Sequence, residues 1–271
     1  MVAKLANANG MHSAAISAWV NYLVYCLSPQ LPPPVYGRMI QRRIEDLTGL
    51  QNPYAEIKRR TNDFALDLLP RFRELIIASE EPVRLALRLA AAGNIIDLGA
   101  KRELTLEEAA DALDTAADTP LQGGDEEEAV ARIMTAPEIL ILADNSGEIV
   151  FDMLLAQTVP CPVTVAVRER PIINDATMAD VIQVGLEKVA RVITTGSDLP
   201  GVWFPACPPE FVRLVKNAPL VISKGQGNFE GLSGESFSGY FLLRVKCDAV
   251  SRKCGFPVGT NALFPAGRFN D

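Results

Sequence analysis

One stretch, Ile139 to Asp152, constrains the fold more than any other part of this sequence. It begins with the apolar run Ile-Leu-Ile-Leu-Ala, changes abruptly to Asp-Asn-Ser-Gly, and continues with apolar residues at helical spacing. An apolar run of this length is typical of a strand that is covered on both faces, as in a parallel sheet. Open α/β sheets bind ligands at the carboxyl ends of such strands. The stretch therefore predicts a strand, a polar tip and a helix.

Two interpretations fit the polar tip. In the first, a carboxylate oxygen of Asp144 and an amide oxygen of Asn145 face a hard cation, and Gly147 allows a tight turn before the free N–H groups of a helix. In the second, Asp144 and Asn145 only cap that helix, because Asp and Asn are preferred caps. The recurrence of the pattern further along the chain favours the first interpretation.

Strand-like segments that end in polar residues recur after this stretch, at 163–167, 191–194, 220–223 and 240–245, with helical segments at 178–184 and 209–216. Their spacing is that of βαβ units, which predicts an α/β region with a mostly parallel sheet. Before residue 138 the sequence predicts helices only, near 16–27, 35–47, 53–69, 83–92, 105–113 and 125–130. We therefore divide the chain into a loose arm (1–12), a helical subdomain (13–115), a linker with an acidic helix (116–136) and an α/β domain (137–271).

The composition narrows the classes of function. A net charge of −7 argues against a protein whose main function is to bind nucleic acid. No apolar run reaches the roughly 18 residues of a membrane span, and no signal peptide is evident, so we expect a cytoplasmic protein without a membrane partner. The five cysteines have no CxxC spacing and His12 is the single histidine, which argues against a zinc site or a Ser-His-Asp triad. Catalysis would depend on carboxylates, amides, lysine and backbone.

The strand ends supply different groups to one predicted edge of the sheet. Asp144 and Asn145 follow the first strand, and Asp175 follows the second. These three form an all-oxygen set that suits Mg²⁺ or Mn²⁺. The fourth strand brings Lys224 and a glycine-rich loop, which suit a phosphate; the loop residues are Gly225, Gly227 and Asn228. Together they predict a metal-assisted phosphoryl site.

Four polar residues of the helical region are secondary candidates for the same cleft. Lys58 and Asn62 are four residues apart and share a helix face, although a solvated face is the simpler explanation. Asn94 and Asp97 lie between two glycines in a predicted tight corner, for which a turn with Asx hydrogen bonds is the simpler explanation. No Walker motif, no GxGxxG after the first strand and no Asp-x-Asp is present. The residues alone leave open whether the chain is an enzyme.

Four blocks, at 93–97, 144–152, 171–178 and 224–232, resemble in this order the signature blocks of the damage-control metal phosphatases, the acidic-residue-methyltransferase-1-like family. Segments 52–58 and 246–247 are similar to family segments as well. The resemblance covers roughly residues 30–260. It departs from the pattern at Cys26, which stands alone where close prokaryotic relatives carry a CxxC pair.

The resemblance implies a helical subdomain packed on a three-layer α/β/α domain with a mostly parallel sheet. It implies one divalent ion (Mg²⁺, Mn²⁺, Co²⁺ or Ni²⁺) held by Asp144, Asn145 and Asp175. Substrate phosphate is expected near Lys224 and its glycine loop, and near Ser146 and Gly147, with the corner at 93–97 lining the cleft. The implied activity is hydrolysis of small phosphometabolites, either sugar phosphates or damaged metabolites. A metal-dependent sugar-phosphate sensor without turnover would use the same groups and is the alternative.

Overall fold

The computed structural model describes residues 31–96 and 105–269. The predicted arm, the predicted helix at 16–27 and Asp97 lie outside these ranges. Within them the chain forms ten α-helices: α1 (Pro33–Thr48), α2 (Ala55–Ala78), α3 (Pro82–Ala92), α4 (Leu106–Asp118), α5 (Glu126–Thr135), α6 (Glu148–Thr158), α7 (Met178–Val184), α8 (Pro209–Asn217), α9 (Gly225–Leu232) and α10 (Asp248–Cys254). The strands are β1 (Ile139–Leu142), β2 (Val163–Val167), β3 (Arg191–Thr194), β4 (Val221–Lys224), β5 (Gly239–Arg244) and β6 (Asn261–Pro265).

The six strands form one sheet in the order β3-β2-β1-β4-β5-β6. Neighbouring strands from β3 to β5 are parallel, and β6 pairs antiparallel with β5. The chain moves from β1 outward to β2 and β3, and then returns to the other side of β1 with β4. The strand order reverses between β1 and β4, which is where the ligand crevice of such a sheet opens.

Helices cover both faces of the sheet, because the strand residues are apolar on both faces. Ile139 and Ile141 of β1 belong to a core that includes residues of α2 to α7. Leu140 and Leu142 point to the opposite face and pack in a core with residues of α8, α9 and α10. The predicted three-layer α/β/α arrangement is therefore confirmed, while the proposed division into domains stays a prediction.

Helix α1 lies against α9 and against the loop that precedes Asp175. The side-chain oxygen of Gln41 accepts a hydrogen bond from the backbone N–H of Ile173 in that loop. Ile173 has a φ of 45°, in the left-handed region that a β-branched residue rarely adopts. The contact with α1 thus helps to hold an unfavourable backbone conformation two residues before a candidate ligand.

Several local predictions were wrong at helix ends. Helix α2 continues to Ala78 instead of ending near residue 69, and no side chain caps its start at Tyr54. Thr105 and Glu108 form a capping box at the start of α4, and the helix continues to Asp118 through residues assigned to the linker, because Ala116 and Ala117 extend its buried face. The antiparallel edge strand β6 was not predicted. None of the described helices combines the length and the hydropathy that a membrane crossing requires.

Candidate active site

Asp144 and Asn145 follow β1 directly, and backbone pairing places the segment around Asp175 beside them. The N–H of Ala176 donates to the carbonyl of Asp144 (2.8 Å), and Asn145 and Asp175 form an antiparallel bridge. The three predicted ligand residues therefore lie on adjacent backbone at the carboxyl edge of the sheet. All three are buried.

Asp144 and Asn145 do not cap the helix that follows them. The N-cap of α6 is Gly147, with a φ of 75°, and it makes no side-chain capping bond. Its N–H instead donates to the side-chain oxygen of Asn62, which reaches across from α2 (2.6 Å). The side chain of Asp144 accepts bonds from the amide nitrogens of Asn94 (3.2 Å) and Asn145 (2.7 Å) at its Oδ2 atom. The capping interpretation was therefore wrong.

Burial makes the charged forms of both site carboxylates unfavourable. Burial raises the pKa of Asp144 well above its ordinary value, and the charges of Glu148 and Asp175 raise it further. Burial also raises the pKa of Asp175, although the charge and hydrogen bond of Arg168 act in the opposite direction. Because both carboxyl groups resist ionisation in this environment, a bound cation would stabilise their charged forms.

Arg168, which sequence reasoning did not select, connects the parts of the site. Its side chain is fully buried. Nε donates to Asp175 Oδ1 (2.8 Å), and Nη2 donates to the carbonyl of Ala143 (3.2 Å) and to Asn228 Oδ1 (2.8 Å). Asn228 in turn donates to the carbonyl of Lys224 (2.7 Å). One guanidinium thus connects the segments that follow β1, β2 and β4. The side-chain amide of Asn228 already forms hydrogen bonds with protein groups, so its contact with phosphate stays a prediction.

The ammonium of Lys224 faces two carboxylates of α6. It donates to Glu148 Oε1 (2.7 Å) and Asp152 Oδ1 (2.6 Å), and the lysine is fully buried. Burial alone would lower the pKa of Lys224, but the charges of Asp152 and Glu148 outweigh it and raise the pKa. Glu148 Oε2 accepts from Asn94 (2.8 Å), which also bonds Asp144. A chain of hydrogen bonds through Glu148 and Asn94 therefore connects Lys224 to Asp144. Direct contact of Lys224 with phosphate stays a prediction.

The predicted glycine-rich loop after Lys224 is instead the first turn of α9. Gly225 has a φ of 78°, and a Cβ atom there would lie 2.0 Å from Asp144 Oδ2. A Cβ atom on Gly227 would lie 2.7 Å from the carbonyl oxygen of Pro200. These glycines allow α9 to approach the carboxylate and a neighbouring loop closely. The sequence alone could not show that the glycines are needed for packing rather than for binding phosphate.

Replacing Gly225 by alanine is expected to destabilise the chain by about 2 kcal/mol or more and to weaken metal binding, because the methyl group meets the Asp144 carboxylate at a positive φ. Urea unfolding measures the first effect and calorimetric titration with Mn²⁺ the second. Gly234→Ala is the control, since nothing lies within 4 Å of its Cβ position. Equal stability of the two variants would contradict the assignment.

Lys58 and Asn62 are buried, so the interpretation as a solvated face was wrong. Lys58 Nζ lies 2.7 Å from Asp180 Oδ2, and Asn62 donates to Asp180 Oδ1 (3.0 Å). The charge of Lys58 also lowers the pKa of Asp175. Both side chains bring α2 to the edge of the site, while their contact with substrate stays a prediction.

Lys246 is a second site residue that sequence reasoning did not select. It is exposed, and its charge lowers the pKa of both Asp144 and Asp175. Its backbone N–H donates to Gln226 Oε1 (3.2 Å), which fixes the segment. Its ammonium has no ion-pair partner among the residues that the structure describes. Lys246 is thus a cation available to an incoming anion.

The residues at the bridge fit a hard divalent ion. Asp144 Oδ1, Asn145 Oδ1 and Asp175 Oδ2 accept no hydrogen bond from any described residue. The same part of the chain contains no cluster of three or more Asp, Glu, His or Cys side chains that could hold a metal. Two carboxylates and an amide are nevertheless sufficient for Mg²⁺, which keeps several waters and often uses one or two carboxylates together with substrate phosphate.

Sequence and fold both match known proteins. Residues 8–262 match the domain family described as the damage-control phosphatase ARMT1-like domain. The chain belongs to this family. A protein of Archaeoglobus fulgidus named damage-control phosphatase is 34% identical over 226 residues, which cover 81% of this chain and 78% of that protein. The predicted membership in the ARMT1-like damage-control phosphatase family is confirmed.

A second relative supplies a structural comparison. Damage-control phosphatase PH1575 of Pyrococcus horikoshii is 33% identical over 235 residues, which cover 84% of this chain and 79% of the relative. Its crystal structure, described as that of a DUF89 family protein, superposes with a TM-score of 0.83 and 28% identity over 98% of this chain and 97% of that one. The names of these relatives support a phosphatase role for this member of the ARMT1-like family.

Proposed function

We propose that this chain is a divalent-metal-dependent phosphatase that hydrolyses small phosphorylated metabolites, either sugar phosphates or damaged metabolites. The bridge between Asn145 and Asp175 carries the proposal, because it brings two buried carboxylates and an amide to the switch point of the sheet. The raised pKa of Asp144 supports it, since a bound dication would offset both the burial and the neighbouring negative charges that raise this pKa.

Asp144, Asn145 and Asp175 would hold the ion through the oxygens that no described residue occupies. Mg²⁺, Mn²⁺, Co²⁺ or Ni²⁺ at this place would act as a Lewis acid toward a phosphate oxygen. Arg168 and Asn94 fix the orientations of the two carboxylates by bonding one oxygen of each. Ligands that are held in this way bind a metal more tightly than mobile ones.

Other residues of the chain would bind the substrate. The exposed Lys246 ammonium would offset the charge of the phosphate, both in the ground state and as charge moves to the leaving oxygen. The Ser146 hydroxyl is buried and has no partner among the described residues, so it is available to donate to a phosphate oxygen. The close approach of α9 over Asp144 would limit the access of bulk water.

A phosphate-release assay with an aryl phosphate and a panel of sugar phosphates tests the proposal. We expect the chain to lose release after chelation and to regain it with at least one of Mg²⁺, Mn²⁺, Co²⁺ and Ni²⁺. The control is chelated protein that receives Ca²⁺, which suits larger oxygen cages. Sugar phosphates that bind without release under every metal would instead favour the sensor, and absence of both binding and release would contradict both functions.

A further inference from the structure

A cavity of about 400 Å³ lies between the end of α4, the end of β5 and the turn before β6, and no described candidate site residue other than Asn94, the chain neighbour of Ile95, lies next to its lining. Its size is within the range of about 300–1,000 Å³ for small-molecule sites. The residues that matter for its chemistry are Ile95, Thr115, Thr119, Arg244, Thr260 and Asn261.

Arg244 is the only charged residue among the described residues that line this cavity. Its Nη1 atom donates to Asn261 Oδ1 (3.2 Å), and no described carboxylate pairs with it. Another cavity, which Arg84 and Arg88 line, differs because these arginines are paired with glutamates. A half-buried guanidinium that has no carboxylate partner in the described part of the chain, in a protein of net charge −7, favours an anion as its partner.

The threonines of the lining present hydrogen-bond acceptors. The hydroxyl of Thr115 donates to the carbonyl of Asp111 (2.8 Å), and that of Thr119 donates to the carbonyl of Thr115 (2.6 Å). The hydroxyl of Thr260 donates to the carbonyl of Pro257 (2.7 Å). Because their protons are committed to the backbone, these oxygens are left to accept hydrogen bonds from hydroxyl groups of a ligand.

We propose that this cavity is a second ligand site, separate from the Asp144 site, for a small anion that carries hydroxyl groups, such as a sugar phosphate or a sugar acid. Arg244 binds the anionic group, and the threonine oxygens accept from the hydroxyls. Ile95 directly follows Asn94, which bonds Asp144, and Arg244 is two residues before Lys246. An occupant therefore lies against two backbone segments that also reach the candidate active site.

Isothermal titration of metal-free Asp144→Asn protein in a chelator tests the site, because the active site is then impaired. The probes are glucose 6-phosphate and gluconate, with inorganic phosphate and neutral glucose as comparisons. We expect at least one of the two anionic sugars to bind more tightly than glucose. Adding Arg244→Gln is expected to weaken the binding of that sugar by about tenfold or more. Adding Arg213→Gln, which removes an exposed arginine on α8, is expected to leave the affinity unchanged.

A second variant keeps the test decisive if Arg244→Gln impairs folding. Thr115→Trp fills the cavity from the exposed end of α4 and leaves the guanidinium in place, so we expect the same loss of affinity. Circular dichroism checks that each variant is folded. The proposal is overturned if Asp144→Asn protein binds neither sugar anion, if glucose binds equally well, or if Thr115→Trp binds as tightly as its parent. A lack of phosphatase activity would leave this binding result unaffected.

Discussion

Replacing Asp144 by asparagine is expected to reduce phosphate release by about a hundredfold or more, since loss of an outer partner of a metal ligand alone costs about 10–100-fold. The substitution removes one of two carboxylates at the bridge and keeps the shape of the side chain. Metal affinity, measured by titration with Mn²⁺, should fall together with the rate. Asp67→Asn, an exposed change on α2, is the control and should keep both values.

The same substitution should leave the metal-free fold intact. The pKa of Asp144 is raised in the folded chain, so the folded state binds its proton more tightly than the unfolded state does. The stability of the wild type therefore falls as the pH rises above the ordinary pKa of an aspartate. Asparagine carries no charge, so in chelator at neutral pH the variant should be at least as stable as the wild type. A variant that unfolds, or that retains full phosphate release, would contradict the assigned role.

Replacing Lys224 by methionine is expected to destabilise the chain by about 3–5 kcal/mol, the usual cost of breaking a buried ion pair by removing one partner. The change leaves Glu148 and Asp152 buried without their counter-charge. Urea unfolding at neutral pH measures the effect. Lys216→Met is the matched control: its ammonium lies 3.6 Å from Glu235 and is half exposed, so the expected cost is below about 1 kcal/mol.

The loss of stability caused by Lys224→Met should also depend on pH. Burial raises the pKa of Asp152 to about 6 even with the ammonium present, which itself lowers that pKa. This carboxyl therefore favours the folded state most when it is protonated, and its contribution declines as the pH rises from about 4 towards 6. Without the ammonium the decline should be larger and extend to higher pH. The two proteins should thus differ less at pH 5 than at pH 8, and a constant difference would contradict a role for Lys224 in neutralising Asp152.

The strands were predictable from the sequence because their burial on both faces produces short apolar runs with sharp ends. Predictions for β1, β2 and β3 coincide with the observed strands. The edge strand β6 was not predicted because its residues are mixed in character and it ends in a proline. The pairing of Asn145 with Asp175 could be anticipated from topology, since parallel strands end at one edge of the sheet.

The side-chain partners at the site could not be predicted, because they depend on contacts between distant parts of the chain. Lys58 meets Asp180 across two helices, and the spacing of Lys58 and Asn62 on α2 is equally typical of a solvated face. Lys224 followed by glycines suggested a phosphate loop, whereas the fold turns its ammonium toward Asp152. Arg168 gave no local signal, since its burial follows only from the packing of β2 against the elements around it.

The guanidinium of Arg168 has a consequence for the order in which the protein assembles. Its partners come from the end of β1, from the loop before α7 and from the first turn of α9, and the last of these follows β4. These contacts require closure of long chain segments, which is slow compared with helix formation. During refolding, the capacity to capture Mn²⁺ should therefore appear later than the helical signal, so that ion uptake reports the completed central sheet.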